Sequence, residues 1–235
     1  MATGIASTWP LTPLMSEAAD PRIAHLAGIA VQLGLPLDEA MAAQLLAYLD
    51  LLQRWNATYN LTAIRDPAQM LSQHVTDCLA VIPPLRRHLG GNASCRLLDV
   101  GSGGGLPGVV IAILCPSVDV TCVDTVGKKA AFIQQVAGSL RLRNLHSQHA
   151  RVERLEAPPF DVITSRAFAS LADFVALTRH HLADDGVWLA MKGKDPSDER
   201  AGLPADVEAF HVEQLRIPGL DAERCLVWMR TRRSL

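Results

Sequence analysis

Arg96-Leu97-Leu98-Asp99-Val100-Gly101-Ser102-Gly103-Gly104-Gly105-Leu106-Pro107-Gly108 is the stretch on which the fold of this chain turns. An apolar strand carries Asp99 at its end and runs into a glycine-rich turn. Val109-Val110-Ile111-Ala112-Ile113-Leu114 then reads as a buried helix. Glycines let the backbone bend tightly, and they let a ligand approach main-chain N–H groups with no Cβ in the way. The free N–H groups that open the next helix favour an anionic group at the turn. A second apolar strand, Val118-Asp119-Val120-Thr121-Cys122-Val123, ends at Asp124, sixteen residues beyond Gly108. This order of strand, turn, helix, strand and acid suits a nucleoside-containing cofactor.

Working outward, strands are expected near 96–100, 118–123, 145–149, 161–165, 186–192, 211–217 and 225–231. Helices are expected near 107–114, 127–140 and 170–182. Short apolar strands alternating with helices specify a parallel, doubly wound α/β sheet. Only Pro218-Gly219-Leu220-Asp221-Ala222-Glu223 separates the last two strands, so they should form an antiparallel hairpin. A Rossmann-like sheet of seven strands ending this way suits a class I S-adenosylmethionine-dependent methyltransferase better than a dehydrogenase.

Upstream, the pattern is helical. Asp20-Pro21 is an N-cap followed by Pro at the first helical position, and Gly34 stops that helix. Asp38 caps a second helix, with Met41, Leu45, Tyr48, Leu49, Leu52 and Trp55 at helical spacing. Asp66-Pro67 opens a third, expected to run through Leu79. Pro83-Pro84 follows, then a basic joint from Arg86 to Ser94. The organisation expected is a disordered tail over 1–19, a helical extension over 20–94 and a Rossmann-like domain over 95–235, folded as one compact unit.

With 235 residues, 49% apolar, 20% charged and a formal charge of −2, the composition is that of an ordinary globular protein. It excludes a strongly basic nucleic-acid binder, so any RNA contact must come from local patches. The segment Met1 to Ala19 lacks a basic start and is broken by Pro10 and Pro13, so it does not read as a signal peptide, and no run is long enough for a membrane span. The five cysteines form no CxxC pair and read as buried reduced thiols of a cytoplasmic protein. His146 and His149 find no completing ligands nearby, so no metal site is expected.

The glycines satisfy two motifs. Gly103, Gly105 and Gly108 fit the dinucleotide fingerprint, with Asp124 near the expected distance. Asp99-Val100-Gly101-Ser102-Gly103 fits the acid-x-Gly-x-Gly turn of class I methyltransferases. Three features favour S-adenosylmethionine. Asp99 supplies an acid where that cofactor carries an ammonium group, Pro107 sits at a helix start, and the sheet ends in a hairpin. In this reading the backbone from Gly101 to Gly105 meets the amino-acid part of the cofactor. Asp124 accepts the ribose hydroxyls, or else caps the helix from Val126 onward. Val152-Glu153, after the third strand, is placed to meet adenine, although Glu153 also reads as a solvated loop carboxylate.

The fourth strand ends in Ser165-Arg166-Ala167-Phe168-Ala169-Ser170. It holds neither the Asn/Asp-Pro-Pro-aromatic motif of exocyclic amine methylation nor a cysteine arrangement for attack on pyrimidine carbon. With the glycine turn, with Trp55-Asn56-Ala57-Thr58-Tyr59-Asn60-Leu61-Thr62-Ala63-Ile64, with His74-Val75-Thr76-Asp77, with Asp124-Thr125-Val126-Gly127-Lys128-Lys129 and with Lys192-Gly193, the chain resembles the bacterial RsmG (GidB) family over roughly 38–231. The family commonly has Asp-Ser where this chain has Asp77-Cys78.

The resemblance implies N7 methylation of one guanosine of 16S rRNA in the small ribosomal subunit. It implies that Gly101, Leu106, Val152, Glu153 and Arg166 contact S-adenosylmethionine, joining Gly103 and Asp124. Guanine N7 bears an in-plane lone pair in the neutral base, so no general base is required. Arg166 is then an organiser of cofactor or base, or else a structural ion pair under the sheet. Asn60, Thr62, Arg65, His74, Lys128 and Lys192 are the candidates for the substrate side. Lys129, Arg141, Arg143 and the Arg230–Arg233 tail are further cations for RNA, though each by itself reads better as a solvated surface charge. Asn56, Asn60 and Thr62 either cover the pocket or cap a turn, and His74 with Asp77 also reads as a local helical pair. The alternatives are a methyltransferase for a protein or small molecule and a non-catalytic ribosome-assembly factor.

Overall fold

The computed structural model describes residues 20–91, 94–166, 168, 170–220 and 222–232. The tail expected over 1–19 lies outside them, as does Arg233. Seven strands form one sheet: β1 (Cys95–Val100), β2 (Val118–Asp124), β3 (Leu145–His149), β4 (Phe160–Ser165), β5 (Leu182–Lys192), β6 (Val207–Leu215) and β7 (Arg224–Thr231), in the order β3-β2-β1-β4-β5-β7-β6. Strands β1 to β5 run parallel. Strand β7 inserts antiparallel between β5 and β6, and the β6–β7 pair is the hairpin the short connection requires. This is the seven-stranded Rossmann-like sheet, with an antiparallel ending, expected from the sequence.

Side chains alternate across the sheet, and each face has its own cover. Leu97, Val120, Val162, Leu189 and Trp228 belong to one buried cluster; Leu98, Val123, Ile163, Trp188 and Val227 belong to the other. The second face is covered by α8 (Leu171–Thr178) through Leu171, Phe174 and Val175. There, buried Trp188 donates its indole N–H to Thr178 Oγ1 at 2.9 Å. The first face receives α6 (Gly108–Leu114) and α7 (Gly127–Ser139), and above them α1 (Pro21–Gln32) and α2 (Glu39–Tyr59). Asp20 and Asp38 cap α1 and α2 as expected, accepting from Arg22 N and Met41 N. Leu26, Leu45, Leu52 and Leu85 share one cluster with the sheet residues, so helices and sheet have a common core.

The third helix departs from expectation. It begins as α3 (Pro67–Met70), widens into a π turn over Leu71–Thr76 and closes as α4 (Asp77–Leu79). Residues 82–89, read partly as a joint, form α5 (Ile82–Leu89). Prolines fit its first turn because the N–H groups there have no helical partner anyway. Gly90, at φ 57, ends it in the left-handed conformation. Helix α8 is shorter than expected, and β5 starts at Leu182 because that residue pairs with Phe160 across a bulge. A short α9 (Ser197–Ala201) was not anticipated, and β6 starts at Val207 and ends at Leu215, ahead of the 211–217 expected.

Candidate active site

Strand order reverses at β1, which pairs with β2 on one side and β4 on the other. Ligands of open α/β sheets bind outside the carboxyl ends of the strands at such a point. Three cavities adjoin there. The first, of about 440 Å³, is lined by Gly101, Asp124, Lys129, Val152, Glu153 and Phe168 among others. The second, about 160 Å³, includes Leu52, Thr62, His74, Gly103, Leu106 and Arg166, and shares Gly101 and Lys129 with the first. The third, about 350 Å³, includes Gln73, Asp77, Lys192 and Arg224, and shares His74 and Arg166 with the second.

The glycine turn forms the central wall. Gly101 has φ +66, a left-handed conformation costly for residues with a Cβ, and open space lies where that Cβ would stand. Gly108 is required for a different reason: a Cβ would run into Cys122 Sγ and Asp99 Oδ2. Asp99 itself is fully buried and lines none of these cavities. Its Oδ2 accepts from Gly108 N at 2.8 Å, and Oδ1 has no partner among the described residues. The acid before the turn therefore ties the turn to α6 instead of facing a ligand's ammonium group. Burial raises its pKa to about 7, against the opposing pull of the Gly108 N–H.

Asp124 does line the first cavity, and it also organises both neighbouring turns. Oδ2 accepts from Gly103 N at 2.9 Å and Oδ1 from Val126 N at 2.8 Å, while Lys129 Nζ lies 3.9 Å away. Ribose binding and turn capping are thus compatible, since each carboxylate oxygen accepts more than one hydrogen bond. Val152 is buried in the cavity wall, and its carbonyl accepts from His181 Nε2 at 2.7 Å. Glu153 is exposed at the rim of the same cavity.

The helical extension supplies the opposite wall. Tyr48 OH donates to Gly104 O at 2.7 Å, and Leu52 packs over the same glycine. Arg166 leaves the end of β4 and reaches the π turn, with Nη1 3.3 Å from Gln73 O, 3.5 Å from His74 Nδ1 and 3.7 Å from Asp77 Oδ2. It stands at the carboxyl edge of the sheet, not under it. Asp77, 4% exposed, also accepts from Arg224 Nε at 2.9 Å. Burial, with Arg166 adding to it, lowers the His74 pKa to about 4, so the ring is neutral near pH 7.

Residues 41–227 match the GidB family, described as rRNA small subunit methyltransferase G. The chain belongs to that family. A relative named ribosomal RNA small subunit methyltransferase G, from Paracidovorax citrulli (strain AAC00-1), is 62% identical over 230 residues, covering 94% of each chain. One of the same name from Acidovorax ebreus (strain TPSY) is 66% identical over 205 residues, covering 84% of this chain and 90% of the relative. Among solved structures, TrmN from Thermus thermophilus superposes with TM-score 0.52 at 18% identity over 68% of this chain and 53% of its own. Ribosomal protein L11 methylase from Lactobacillus delbrueckii subsp. bulgaricus gives TM-score 0.52 at 15% identity over 66% and 78%. These two share the fold.

In this GidB-family chain, Gly101, Gly103, Leu106, Asp124, Val152, Glu153 and Arg166 all line the first two cavities. Thr62, His74 and Lys192 also reach the crevice, Lys192 held by Glu199 Oε2 at 2.7 Å. Asn60, Arg65 and Lys128 do not line these cavities. Asn60 is the left-handed cap of α2 and accepts from Arg65 Nη2 at 3.0 Å, while Lys128 is exposed and its neighbour Lys129 faces in. Asn56 fixes the turn by accepting from Thr62 N at 2.8 Å. His74, in the π turn, and Asp77, at the start of α4, both meet Arg166. Sequence reasoning missed Arg224, Tyr48 and Leu52 as site residues. Arg224 opens a strand with no motif around it, and the other two lie on a face that reads simply as core. All five cysteines are buried and free. Among the described residues no His/Cys/Asp/Glu cluster is arranged to hold a metal, and no helix is long and apolar enough to cross a membrane.

Proposed function

We propose that this chain transfers a methyl group from S-adenosylmethionine to N7 of a specific guanosine of 16S rRNA in the small ribosomal subunit. The relatives' printed name carries the substrate class, and the joined cavities at the β1/β4 switch point carry the donor. The residues present fit such a donor. Gly101 leaves space where a Cβ would stand, Asp124 keeps acceptor capacity for ribose hydroxyls, and Val152 and Glu153 offer an apolar wall and a polar rim for adenine. When bound, the donor supplies an electrophilic sulfonium methyl group.

The chain's own task is then to bind, align and exclude water. The third compartment supports N7 as the acceptor because the carboxylate in its wall is engaged. Asp77 is held by two arginines, Lys192 is paired with Glu199, and His74 is neutral with a depressed basicity. None is poised to remove a proton, and N7 of the neutral base has none to lose. Arg166, at the wall shared by the donor and substrate compartments, is the organiser; Lys192 and Arg224 complete the substrate side. The extension over 20–94 acts as a fixed wall of the crevice, and the site of action is the cytoplasm, where the subunit is. The test is labelled donor with unmethylated small subunits and, separately, their naked rRNA. N7-methylguanosine at one position is the expected product, and its absence from both substrates sinks the proposal.

A further inference from the structure

Arg166 is held mainly by one short segment. The π turn Leu71–Thr76 places Gln73 O 3.3 Å and His74 Nδ1 3.5 Å from the same guanidinium nitrogen, Nη1. A guanidinium only donates, so the Arg166 contact needs a bare Nδ1 and puts the ring's proton on Nε2; the Gln73 carbonyl, which the ring also reaches, accepts from Arg166 instead. Nε2 lies 2.9 Å from Thr62 Oγ1, so the ring donates there. Thr62 is itself fixed: Ile64 N donates to its hydroxyl at 3.2 Å, and its backbone N–H binds Asn56 Oδ1 at 2.8 Å. The imidazole thus spans from a rigid turn after α2 to the arginine at the end of β4. The other tautomer, or an imidazolium, would press an N–H against a cation. The charged groups around it are Arg166 from β4 and Asp77 from its own segment, with Lys192 and Arg224 across the shared cavity.

The geometry points to His74 as a positioning residue for methyl transfer. Protonated on Nε2 alone, it takes a hydrogen bond from Arg166, gives one to Thr62, and so fixes the guanidinium at the wall between donor and substrate compartments. This rests on the function proposed above. His74 moves no proton. It is a brace whose two ring nitrogens do different jobs, and those jobs are separable by substitution. Asparagine supplies an acceptor near Nδ1 and nothing at Nε2; glutamine supplies a donor near Nε2 and no acceptor at Nδ1.

The experiment is single-turnover methyl transfer at saturating donor, using unmethylated small subunits, with donor affinity read by calorimetry. His74→Gln is expected to slow transfer about tenfold to a hundredfold even at saturating donor, the scale of a misaligned reacting group. His74→Asn is expected to restore most of the rate. A His74→Gln enzyme as fast as wild type, or a His74→Asn enzyme no better than His74→Gln, overturns the role. Should either variant fail to fold, ¹⁵N-histidine NMR of the wild-type protein decides. A ring protonated only on Nε2 from about pH 6 to 8, where a free histidine titrates, supports the brace; an Nδ1 proton or an imidazolium overturns it. Wild-type protein that transfers no methyl group overturns the proposed function, whereas failure of the brace alone leaves wild-type transfer intact.

Discussion

Asp124 and Asp99 end neighbouring strands, and their surroundings give them opposite jobs. Asp124 faces the first cavity and pins two turns, so Asp124→Ala should weaken S-adenosylmethionine binding by roughly 1–3 kcal/mol through lost charge-assisted hydrogen bonds. Unchanged affinity in calorimetry removes it from the site. Asp99 is sealed beneath the turn with a pKa raised from 3.8 to about 7. A raised carboxyl pKa means the folded state holds the proton more tightly than the unfolded one. Stability from this group is therefore present below about pH 4 and is lost as pH rises toward 7. Asparagine at 99 keeps an acceptor for Gly108 N and never ionises. The melting temperature of Asp99→Asn minus that of wild type should increase between pH 4 and 7 and level off above; a flat difference would show that Asp99 is not perturbed. The sequence showed that two acids end two strands. It did not show which one looks into the cavity, because that depends on the twist of β1 and the approach of α6.

At the scale of elements, the glycine turn is gripped from both sides. Asp99 and Asp124 hold it from the sheet, while Tyr48 and Leu52 of α2 press on Gly104 from above. Tyr48→Phe removes one hydrogen bond to a half-buried carbonyl. It should cost about 1 kcal/mol of stability by denaturant titration, with donor binding weakened in step as the turn loosens. Full donor affinity in that variant would show that α2 is only a cover. Helices α1 and α2 were legible because an Asp caps each, with Pro in the first turn of α1 and apolar spacing along α2. The π turn was not legible: Leu71–Thr76 has ordinary helical spacing, and its partner Arg166 arrives from far along the chain, as does Arg224, which meets Asp77 just after the turn. Helix α5 was missed because Pro83-Pro84 reads as a break, although proline is tolerated in a first turn.

For the whole molecule, the decisive fact is the shared core. Leu26, Leu45, Leu52 and Leu85 pack in one cluster with Leu97, Val120 and Leu189, so the extension covers one face of the sheet. A chain cut to 95–235 should lose that cover and populate a loosened state that binds a hydrophobic dye and exchanges its β-sheet amides readily. A truncated chain with native-like protection and no dye binding would make the extension separable. By itself, the sequence determined the sheet, its antiparallel ending, the glycine turn and the family, because these are local patterns: alternating apolar runs, glycine spacing, caps and contiguous motifs. Only the tertiary structure decided which side chains meet in the crevice. It turned Asp99 inward and Asp124 outward, chose Lys129 over Lys128, and brought Thr62, His74, Asp77, Arg166 and Arg224 together. Hydrogen-bond geometry and burial act between residues far apart in the chain, and no local pattern encodes that distance.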